Sequence, residues 1–433
     1  MALYKYQQEG IKRLYSILTA NEERAAMLCD PPGAGKTPQA IGLYDALGSR
    51  SALIICPASL KENWRREFAR WSKGPGAPVV SQVLNSSSDV INPNANVIIT
   101  SFSLACRIHH QLSKRLYDLL IVDESHYLKN ASSQAARIIL VILWARCQFR
   151  LLMSGTPLPN GRAVEGYTSF SRCSEKHFGS WETYKKTYCV EQRTRWGVTY
   201  PGSKNLPQLK ELSKSFMVRR SKEEVLGELP GLVRQNVPIR LPEMEVLDAE
   251  GGIDVDAIVN AVENGLPIEG DHITTVRRKL SMLKAPHILQ AIEETLEEVE
   301  CVVVFLHHRE LMAHLIRGLT DKNISHVSIS GLTLPDDRVK SVDIFQSGEA
   351  RVFLGSLKAA NTGLTLTKAS TLIMAEYDWV PSTNEQAEAR VYRVSQKEIC
   401  RVRYLVAVDS LDEKILKVVQ RKQRDITKAL GET

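Results

Sequence analysis

The first stretch of this sequence that could do chemistry is a glycine-containing loop ending in a lysine and a threonine. It runs from Asp30 to Thr37 as DPPGAGKT and follows a short apolar run. Glycines let backbone N–H groups turn towards an anion, a lysine can reach the β- and γ-phosphates of a nucleotide, and a hydroxyl can bind Mg²⁺. Asp30 stands where the usual G-x-x-x-x-G-K-[ST] pattern has its first glycine. The stretch therefore predicts a relaxed phosphate-binding loop, called the phosphate loop below, and the alternative is a glycine turn before a surface lysine.

Two adjacent carboxylates at the end of another apolar run complement this loop. The segment Tyr117–Glu124 is YDLLIVDE, so Asp123 and Glu124 come directly after a predicted central strand. Ligands of open α/β sheets bind outside the carboxyl ends of the strands. We therefore expect Asp123 to hold Mg²⁺, directly or through water, and Glu124 to orient and activate the attacking water. An acidic pair alone could equally be a helix cap, and its pairing with the phosphate loop favours the catalytic interpretation.

A parallel sheet has to bring these two segments together, and further apolar runs supply its strands. They occupy residues 51–57, 97–102 and 149–153, separated by helical patterns. One such pattern has Leu60, Trp64 and Phe68 at a spacing of four residues, which predicts an amphipathic helix. Strands that alternate with helices of this length indicate βαβ units and a parallel sheet.

The alternation stops at about Gly166 and resumes in the last third of the chain. Strands are predicted there at 302–306, 326–329, 352–354, 371–375 and 402–406, followed by a long basic helix. The predicted fold class is therefore α/β, with two parallel-sheet lobes joined by helical insertions. The predicted domains are a first lobe over residues 1–165, helical insertions and a connector over 166–284, and a second lobe over 285–433.

The charge of the chain is unevenly distributed. The formal net charge is +7 and the sequence pI is ≈ 8.9, yet the block from Leu241 to Glu300 holds 14 acidic and 4 basic residues. The basic excess thus lies outside this block, which favours nucleic acid or another polyanion as the partner. Between Trp181 and Lys204 basic residues alternate with aromatic ones. Such a mixture suits a nucleic-acid surface, and equally a helical insertion whose aromatic side chains pack inward.

Cysteine usage and hydropathy restrict the class of protein. The sequence has eight cysteines and no C-x-x-C pair, so we expect neither a zinc ribbon nor a disulfide framework. It has no run of 18 apolar residues and no signal peptide. These features predict a soluble intracellular protein without zinc and without a membrane partner.

Motifs in the order and spacing of one family cover nearly the whole chain. In the first part these are LYKYQQEGI from Leu3, the phosphate loop, IICPASLKENW, ITSFSL, DESH, LLMSGTPLPN and FMVRRSKEEVLGELP. In the second part they are VVVFLHHRE, GSLKAANTGLTLT and QAEARVYRVSQ. The chain resembles the Swi/Snf-like ATPases of helicase superfamily two, closest to the compact annealing-helicase branch and its minimal phage or bacterial relatives. It departs from that family at Ala389 and Tyr392, where an aspartate and a histidine are usual.

The resemblance implies two RecA-like lobes and a role for each matching residue. Gln7 would read adenine, and Thr37 and Asp123 would hold Mg²⁺. The residues implied to bind ATP are Gln7, Asp30, Pro31, Pro32, Gly33, Ala34, Gly35, Lys36 and Thr37 from the first lobe and Gly363 from the second. The residues implied to be catalytic are Glu124, Gln386, Arg390 and Arg393.

The two arginines also carry a prediction of their own. Arg390 and Arg393 are three residues apart, so that on a helix they would share one face. Two arginines on one face suggest a phosphate clamp, and solvated surface arginines are the alternative. The resemblance favours the clamp, with Arg393 as the arginine finger.

The predicted function is an ATP-dependent translocase on double-stranded or branched DNA, of the kind that remodels or reanneals duplexes and acts as a monomer. One alternative is a strand-separating DNA or RNA helicase, because the same core serves both activities. An alternative of another class is a non-hydrolysing nucleotide switch or scaffold, against which Glu124 argues. The predicted compartment is the cytoplasm of a bacterium or phage-infected host, or the nucleus of a eukaryote.

Overall fold

The computed structural model describes residues 3–74, 79–194, 197–221, 224–225, 231–251, 254–264, 272–357, 364–393 and 396–430. These residues form two compact units, each built around its own parallel sheet. We call them lobe 1, which contains the phosphate loop, and lobe 2. The predicted α/β class with two parallel-sheet lobes is confirmed.

The main helices and strands of lobe 1 alternate along the chain. They are α1 (Lys5–Ala20), β1 (Ala25–Leu28), α2 (Lys36–Ala46), β2 (Ala52–Cys56), α3 (Lys61–Trp71), β3 (Ser81–Val83), β4 (Val97–Ser101), α4 (Phe102–Leu112), β5 (Tyr117–Val122), α5 (Gln134–Arg137) and β6 (Cys147–Met153). Next come α6 (Tyr167–Cys173), α7 (Glu175–Phe178), α8 (Trp181–Tyr188), β7 (Cys189–Thr194), β8 (Gly197–Ser203), α9 (Leu206–Ser213) and β9 (Met217–Val218). Strands β7 and β8 form a two-stranded sheet of their own, of which residues 193–201 are counted with the second compact unit.

The described sheet of lobe 1 has the strand order β3-β4-β2-β5-β6-β1-β9. All of its pairs are parallel; Leu151 of β6, for example, is paired with Ile121 of β5 on one side and with Ala26 of β1 on the other. Strands such as β2 (ALIIC) are buried along their whole length, as expected for a sheet covered on both faces. Because parallel strands end at the same edge, the loops after β5, β6 and β1 are neighbours there.

The predicted amphipathic helix and the aromatic insertion both pack inward. On α3, Trp64 and Phe68 are buried in the core of lobe 1, as the spacing predicted. On α8, Tyr184 and Tyr188 are buried and lie 5.8 and 6.0 Å, centroid to centroid, from the ring of Phe178. For α8 the inward-packing alternative is therefore the correct one.

Lobe 2 repeats the alternation with a different strand order. Its elements are β10 (Leu232–Ile239), α10 (Glu243–Glu250), α11 (Val255–Asn264), α12 (His272–Glu298), β11 (Val302–Leu306), α13 (Arg309–Asp321), β12 (His326–Ile329), α14 (Pro335–Ser347), β13 (Val352–Ser356), β14 (Thr371–Met374), α15 (Pro381–Glu388), β15 (Cys400–Ala407) and α16 (Leu411–Leu430). The described strands are parallel, in the order β10-β15-β14-β11-β13-β12. The acidic block thus consists largely of α10, α11 and α12, and Ile288 and Ile292 of α12 are part of the core.

Strands β9 and β10 both fall in the stretch assigned above to insertions and connector, residues 166–284. The division of the chain at residues 165 and 284 stays a prediction. All eight cysteines lie in described parts of the chain and are free thiols. None of the described helices is long and apolar enough to cross a membrane.

Candidate active site

The phosphate loop connects β1 to α2 in a conformation that depends on two glycines. Gly33 has φ 85° and Gly35 has φ 68°, values that glycine adopts without steric cost. Gly35 is the N-cap of α2, so the unpaired N–H groups of the first helical turn lie in the loop itself. Pro38 also lies in this turn, where a missing N–H is tolerated. The loop therefore presents the N-terminus of an eleven-residue helix as an anion site.

Lys36 lies folded over its own loop. Its Nζ donates hydrogen bonds to the backbone oxygens of Asp30 at 2.9 Å and Pro31 at 3.3 Å. Burial lowers the pKa of Lys36, while the negative charges of Glu124 and Asp123 oppose that shift. The loop after β6 also approaches Lys36, since a Cβ placed on Gly155 would lie 3.1 Å from this Nζ. Lys36 thus lies between the loops that follow β1, β5 and β6.

Asp123 is held in place by two donors. Its Oδ2 accepts from the indole Nε1 of Trp64 at 2.9 Å, and its Oδ1 accepts from the backbone N of Glu124 at 2.9 Å. Burial raises the pKa of Asp123, and the neighbouring charge of Glu124 raises it further. A buried carboxylate whose charged form is destabilised in this way gains from a nearby cation. Together with the hydroxyl of Thr37, it fits the oxygen ligands that Mg²⁺ prefers.

Glu124 has a strained backbone, and its side chain lies close to His126. Its φ of 52° and ψ of 48° are left-handed values that cost a non-glycine residue about 1–2 kcal/mol. His126 Nδ1 lies 3.3 Å from Glu124 Oε2 and 3.1 Å from Ser154 Oγ. Ser154 Oγ also accepts from the backbone N of Thr156 at 3.1 Å. His126 therefore lies between the Glu124 carboxylate and the SGT segment after β6, to which it is hydrogen-bonded through Ser154.

Gln7 lies directly against the phosphate loop. It is buried on α1, its Oε1 accepts from the backbone N of Tyr4 at 3.0 Å, and its Nε2 is 3.4 Å from the backbone oxygen of Ala34. A Cβ added to Gly35 would lie 2.4 Å from this Nε2, so only glycine allows the contact. The structure therefore brings the predicted base-reading residue to the predicted phosphate site. Of the loop residues, Pro31 is buried and Pro32 is half-buried, with its ring against Gly155.

The candidate residues of lobe 2 are arranged differently from the helical face that their spacing predicted. Gln386 is buried on α15, but this helix ends at Glu388, so Arg390 and Arg393 lie in the turns that follow it. These turns are held by neighbouring backbone: the N of Leu366 donates to the oxygen of Arg390 at 2.9 Å, and Arg393 Nη1 donates to Thr365 Oγ1 at 2.7 Å. The shared helical face was therefore a wrong prediction. Gly363 lies outside the described residues.

Comparison with protein families shows to which family the chain belongs. A profile of the SNF2-related domain matches residues 6–247, and a profile of the helicase conserved C-terminal domain matches residues 284–395. The chain belongs to the SNF2-related family. The predicted resemblance to Swi/Snf-like ATPases is confirmed.

Curated relatives of this SNF2-related chain are longer proteins. One is the SWI/SNF-related matrix-associated actin-dependent regulator of chromatin subfamily A-like protein 1 of Drosophila melanogaster, with 30% sequence identity; the match covers 98% of this chain and 56% of the relative. Another is the human DNA annealing helicase and endonuclease ZRANB3, with 28% sequence identity; the match covers 97% of this chain and 40% of the relative. The chain thus spans about half the length of the curated relatives it matches. Among solved structures, the chain is similar to the Sulfolobus solfataricus SWI2/SNF2 ATPase core in complex with dsDNA. The match has a TM-score of 0.49 at 19% sequence identity, and it covers 99% of this chain and 97% of the Sulfolobus chain.

Sequence reasoning missed three residues that hold the site of this SNF2-related chain together. Trp64 was predicted as a core residue of α3, and nothing in its spacing indicates the bond to Asp123. His126 was part of the DESH motif without a role of its own. Arg220 lies far along the chain from the phosphate loop, yet its guanidinium pairs with Asp30. The double arginine in FMVRRSK was the available signal, but sequence alone gave it no partner.

Proposed function

We propose that this chain is an ATP-dependent translocase on double-stranded DNA, which uses ATP hydrolysis to remodel or reanneal duplexes. The observation that carries the proposal is the meeting of Lys36, Asp123 and Glu124 at one edge of the lobe 1 sheet. Lys36 comes from the loop after β1 and the two carboxylates from the loop after β5, and each residue has the chemistry that nucleotide hydrolysis needs. Membership of the SNF2-related family supports the same activity.

The residues of lobe 1 divide the work of binding and hydrolysis. The N–H groups of the phosphate loop and Lys36 would bind the β- and γ-phosphates, and Gln7 would contact the adenine. Thr37 and Asp123 would hold Mg²⁺, which when bound neutralises charge on the phosphates. Glu124 would accept a proton from the attacking water, and His126, whose Nδ1 lies 3.3 Å from Glu124 Oε2, is the neighbour that would orient this carboxylate. The buried surroundings of Lys36 and Asp123 strengthen every one of these electrostatic contacts.

Lobe 2 would supply the remaining positive charge. The lobe 1 site has no arginine assigned to the charge that develops on the γ-phosphate, and Arg390 and Arg393 are the candidates from lobe 2. An arginine finger is typically worth ~10³ to 10⁵ in kcat. If closure of the two lobes delivers these arginines, a polyanion that binds the closed state better will stimulate hydrolysis. We infer that duplex DNA is that polyanion.

Two observations support DNA as the partner. The basic excess of the chain lies outside the acidic block, which suits a polyanion that contacts other surfaces. The relatives are named as a DNA annealing helicase and as a regulator of chromatin, and both names concern DNA. Action as a monomer, the absence of zinc and the cytoplasmic or nuclear compartment stay predictions.

The experiment that tests the proposal is a steady-state ATPase assay without nucleic acid and with duplex DNA, single-stranded DNA, forked DNA or RNA. We expect the highest rate with duplex or forked DNA, no turnover for Lys36→Ala, and wild-type rates for Lys12→Ala, a change at an exposed lysine of α1. ATP binding without turnover in any condition would favour a nucleotide switch. Stimulation by single strands or RNA above that by duplex would favour a strand-separating helicase, and either result would overturn the proposal.

A further inference from the structure

Arg220 makes an ion pair with the phosphate loop from a position 190 residues further along the chain. It lies just beyond β9, and its side chain is 15% exposed, while Asp30 is fully buried. Arg220 Nε donates to Asp30 Oδ1 at 3.0 Å, and its Nη2 pairs with Asp30 Oδ2. The contact is thus the bidentate arrangement for which a guanidinium is suited. Asp30 replaces the first glycine of the usual phosphate-loop pattern, so this pair is built on the departure noted in the sequence.

The other donors of the same guanidinium bind the two helices beside the loop. Arg220 Nη2 also donates to Gln39 Oε1 on α2 at 2.7 Å, and Arg220 Nη1 donates to the backbone oxygen of Tyr6 on α1. The Arg220 Cζ lies 5.1 Å from the centroid of the Tyr6 ring. Gln39 in turn donates from its Nε2 to Asp30 Oδ2 at 3.0 Å. One guanidinium therefore ties α1, α2 and the phosphate loop together, and its planar fork reaches both carboxylate oxygens of Asp30, a geometry that a lysine ammonium does not reproduce.

This network decides how closely α1 approaches the loop. Tyr6 Oη donates to the backbone oxygen of Ala34 at 2.9 Å, next to the contact of Gln7 with the same oxygen. At Gly10, one turn further along α1, an added Cβ would lie 2.2 Å from Gln39 Oε1 and 2.7 Å from Arg220 Nη2. The helix can take this position because residue 10 has no side chain, and the space beside Gly10 is occupied by Gln39 and Arg220.

We propose that Arg220 is a positioning residue that sets the preference of the site for adenine nucleotides. By holding α1 on the phosphate loop, it fixes where Gln7 presents its amide. An amide side chain can pair with the donor and acceptor edge of adenine, whereas guanine has two acceptors at the matching positions. Loss of Arg220 would let α1 move, so that ATP loses the paired contact and GTP, which never had it, loses little. This inference rests on the proposed function, since it takes ATP as the ligand of the site.

The test compares the Kd of ATP and GTP, measured by calorimetry on the full chain, for wild type and Arg220→Lys. Lysine keeps the charge opposite Asp30 but loses the fork. We expect ATP affinity to fall by roughly 5- to 150-fold, the worth of one bidentate base contact, with a change of less than about threefold for GTP. Arg13→Lys is the matched control, because Arg13 is an exposed arginine on α1 whose Nη2 donates to the backbone oxygen of Lys214 at 3.5 Å.

Two further variants separate positioning from a purely structural role. In a Gln7→Ala background, Arg220→Lys should cause no further loss of ATP affinity, because the contact that it positions is already gone. Gly10→Ala keeps both members of the ion pair and replaces a helical glycine by a better helix former, yet it should lower the ATP to GTP preference by pushing on Arg220. If Arg220→Lys does not fold, the ATP to GTP preference of Gly10→Ala tests the role of Arg220 instead.

The outcomes are distinguishable. A wild-type protein that does not bind ATP, or binds ATP and GTP equally, contradicts the adenine site of the proposed function. A wild type that prefers ATP, with the preference unchanged in Arg220→Lys and in Gly10→Ala, overturns the role of Arg220 alone. An equal loss of ATP and GTP affinity would also overturn it, because that result marks a structural residue.

Discussion

Lobe 1 and lobe 2 are built on the same parallel-sheet plan, but their buried charges at the strand ends are stabilised to different degrees. In lobe 1, burial raises the pKa of Asp123 and lowers that of Lys36, so both charged forms are destabilised. In lobe 2, Glu376 follows β14 and accepts from the backbone N of His307 at 2.7 Å, the backbone N of His308 at 2.9 Å and the ring Nδ1 of His308 at 2.6 Å. Asp123 and Lys36 of lobe 1 thus keep charges that a ligand would stabilise, although Asp30 of the same lobe is paired with Arg220, whereas Glu376 of lobe 2 is stabilised by groups of the protein itself.

A second buried charge of lobe 2 follows the same rule. Lys284 on α12 is 1% exposed, and its Nζ donates to the backbone oxygens of Ala375 and Leu405 at 2.8 and 3.0 Å and to Asp412 Oδ2 at 2.7 Å. An ammonium has three protons, and here each has an acceptor. This difference predicts that substitutions of Asp123 and Lys36 will cost activity, whereas substitutions of Glu376 and Lys284 will cost stability.

The arginines after α15 are the strongest challenge to this division, because they are lobe 2 residues with a proposed catalytic role. We expect Arg393→Ala and Arg390→Ala each to lower duplex-stimulated ATPase by ~10³ to 10⁵, the range for an arginine finger. ATP and DNA affinity should change by only a few-fold, and lysine should rescue poorly because it lacks the bidentate fork. The measurement is ATPase at saturating duplex DNA.

The control for these variants is Arg401→Ala, a change at an exposed arginine of β15 in the same lobe. It should leave the stimulated rate unchanged. If both Arg390→Ala and Arg393→Ala kept wild-type stimulation, hydrolysis would belong to lobe 1 alone, and the two-lobe mechanism would be wrong.

Substitutions in the acidic pair of lobe 1 test whether its two carboxylates serve hydrolysis and metal binding separately. Glu124→Gln should lower kcat by ~10² to 10⁴, the usual worth of a positioned base, with ATP and Mg²⁺ still bound. Asp123→Asn should weaken Mg²⁺ affinity as well, because it removes the carboxylate assigned to the metal. Single-turnover hydrolysis and a Mg²⁺ titration of ATP binding measure the two effects separately.

The stability of these variants is the second measurement. Glu124→Gln removes a charge beside the buried Asp123, so the thermal midpoint should stay level or rise. Equal loss of Mg²⁺-dependent ATP binding in both variants would contradict the separate roles of the two carboxylates.

The sequence was informative wherever one short segment carries both the fold and the chemistry. The phosphate loop and the DE pair could be placed because each follows an apolar run long enough for a central strand, and parallel strands end at one edge. The same reasoning could not find Trp64 or Arg220 as partners of Asp123 and Asp30, because these contacts join segments far apart in the chain. Their geometry depends on how α3 and the segment after β9 pack.

The end of α15 shows a second limit. The residues around Arg390 suit a helix, and nothing local in QAEARVYRVSQ requires the helix to stop at Glu388. Beyond Glu388 the chain continues in turns that bond to the segment 364–369: the N of Leu366 donates to the oxygen of Arg390 at 2.9 Å, and Gln396 Nε2 donates to the backbone oxygen of Ala369 at 2.9 Å. A local pattern contains no information about such distant partners.

Glu376 tests whether lobe 2 gains stability from a buried carboxylate that its own groups bind, and the expected effect is the smallest. Burial acts to raise the pKa of Glu376, but the hydrogen bond and charge of His308, with the two backbone N–H groups, lower that pKa to about 2. An unfolded chain would have its glutamate pKa near ~4.3. The ionised carboxylate therefore stabilises the fold above that pH, and this contribution is lost as the pH falls towards 2. At pH 7 we expect Glu376→Gln to lower the stability of lobe 2 by about 3 kcal/mol.

Hydrogen-exchange protection of the β11 amides, followed in urea, measures this effect locally, because a two-lobed chain need not unfold in one step. The difference in the free energy of unfolding between wild type and Glu376→Gln should be constant from pH 7 to about 5 and should shrink between about 4.3 and 2.

Glu310→Gln is the control: its carboxylate is half exposed and pairs with Arg278 at 3.0 Å, so its removal should cost less than about 1 kcal/mol at any pH. A Glu376→Gln protein as stable as wild type at pH 7, with normal ATPase, would show that lobe 2 gains nothing from its buried pair. A Glu376→Gln protein of normal stability but without DNA-stimulated ATPase would instead place Glu376 among the functional residues, and the contrast drawn between the two lobes would then fail.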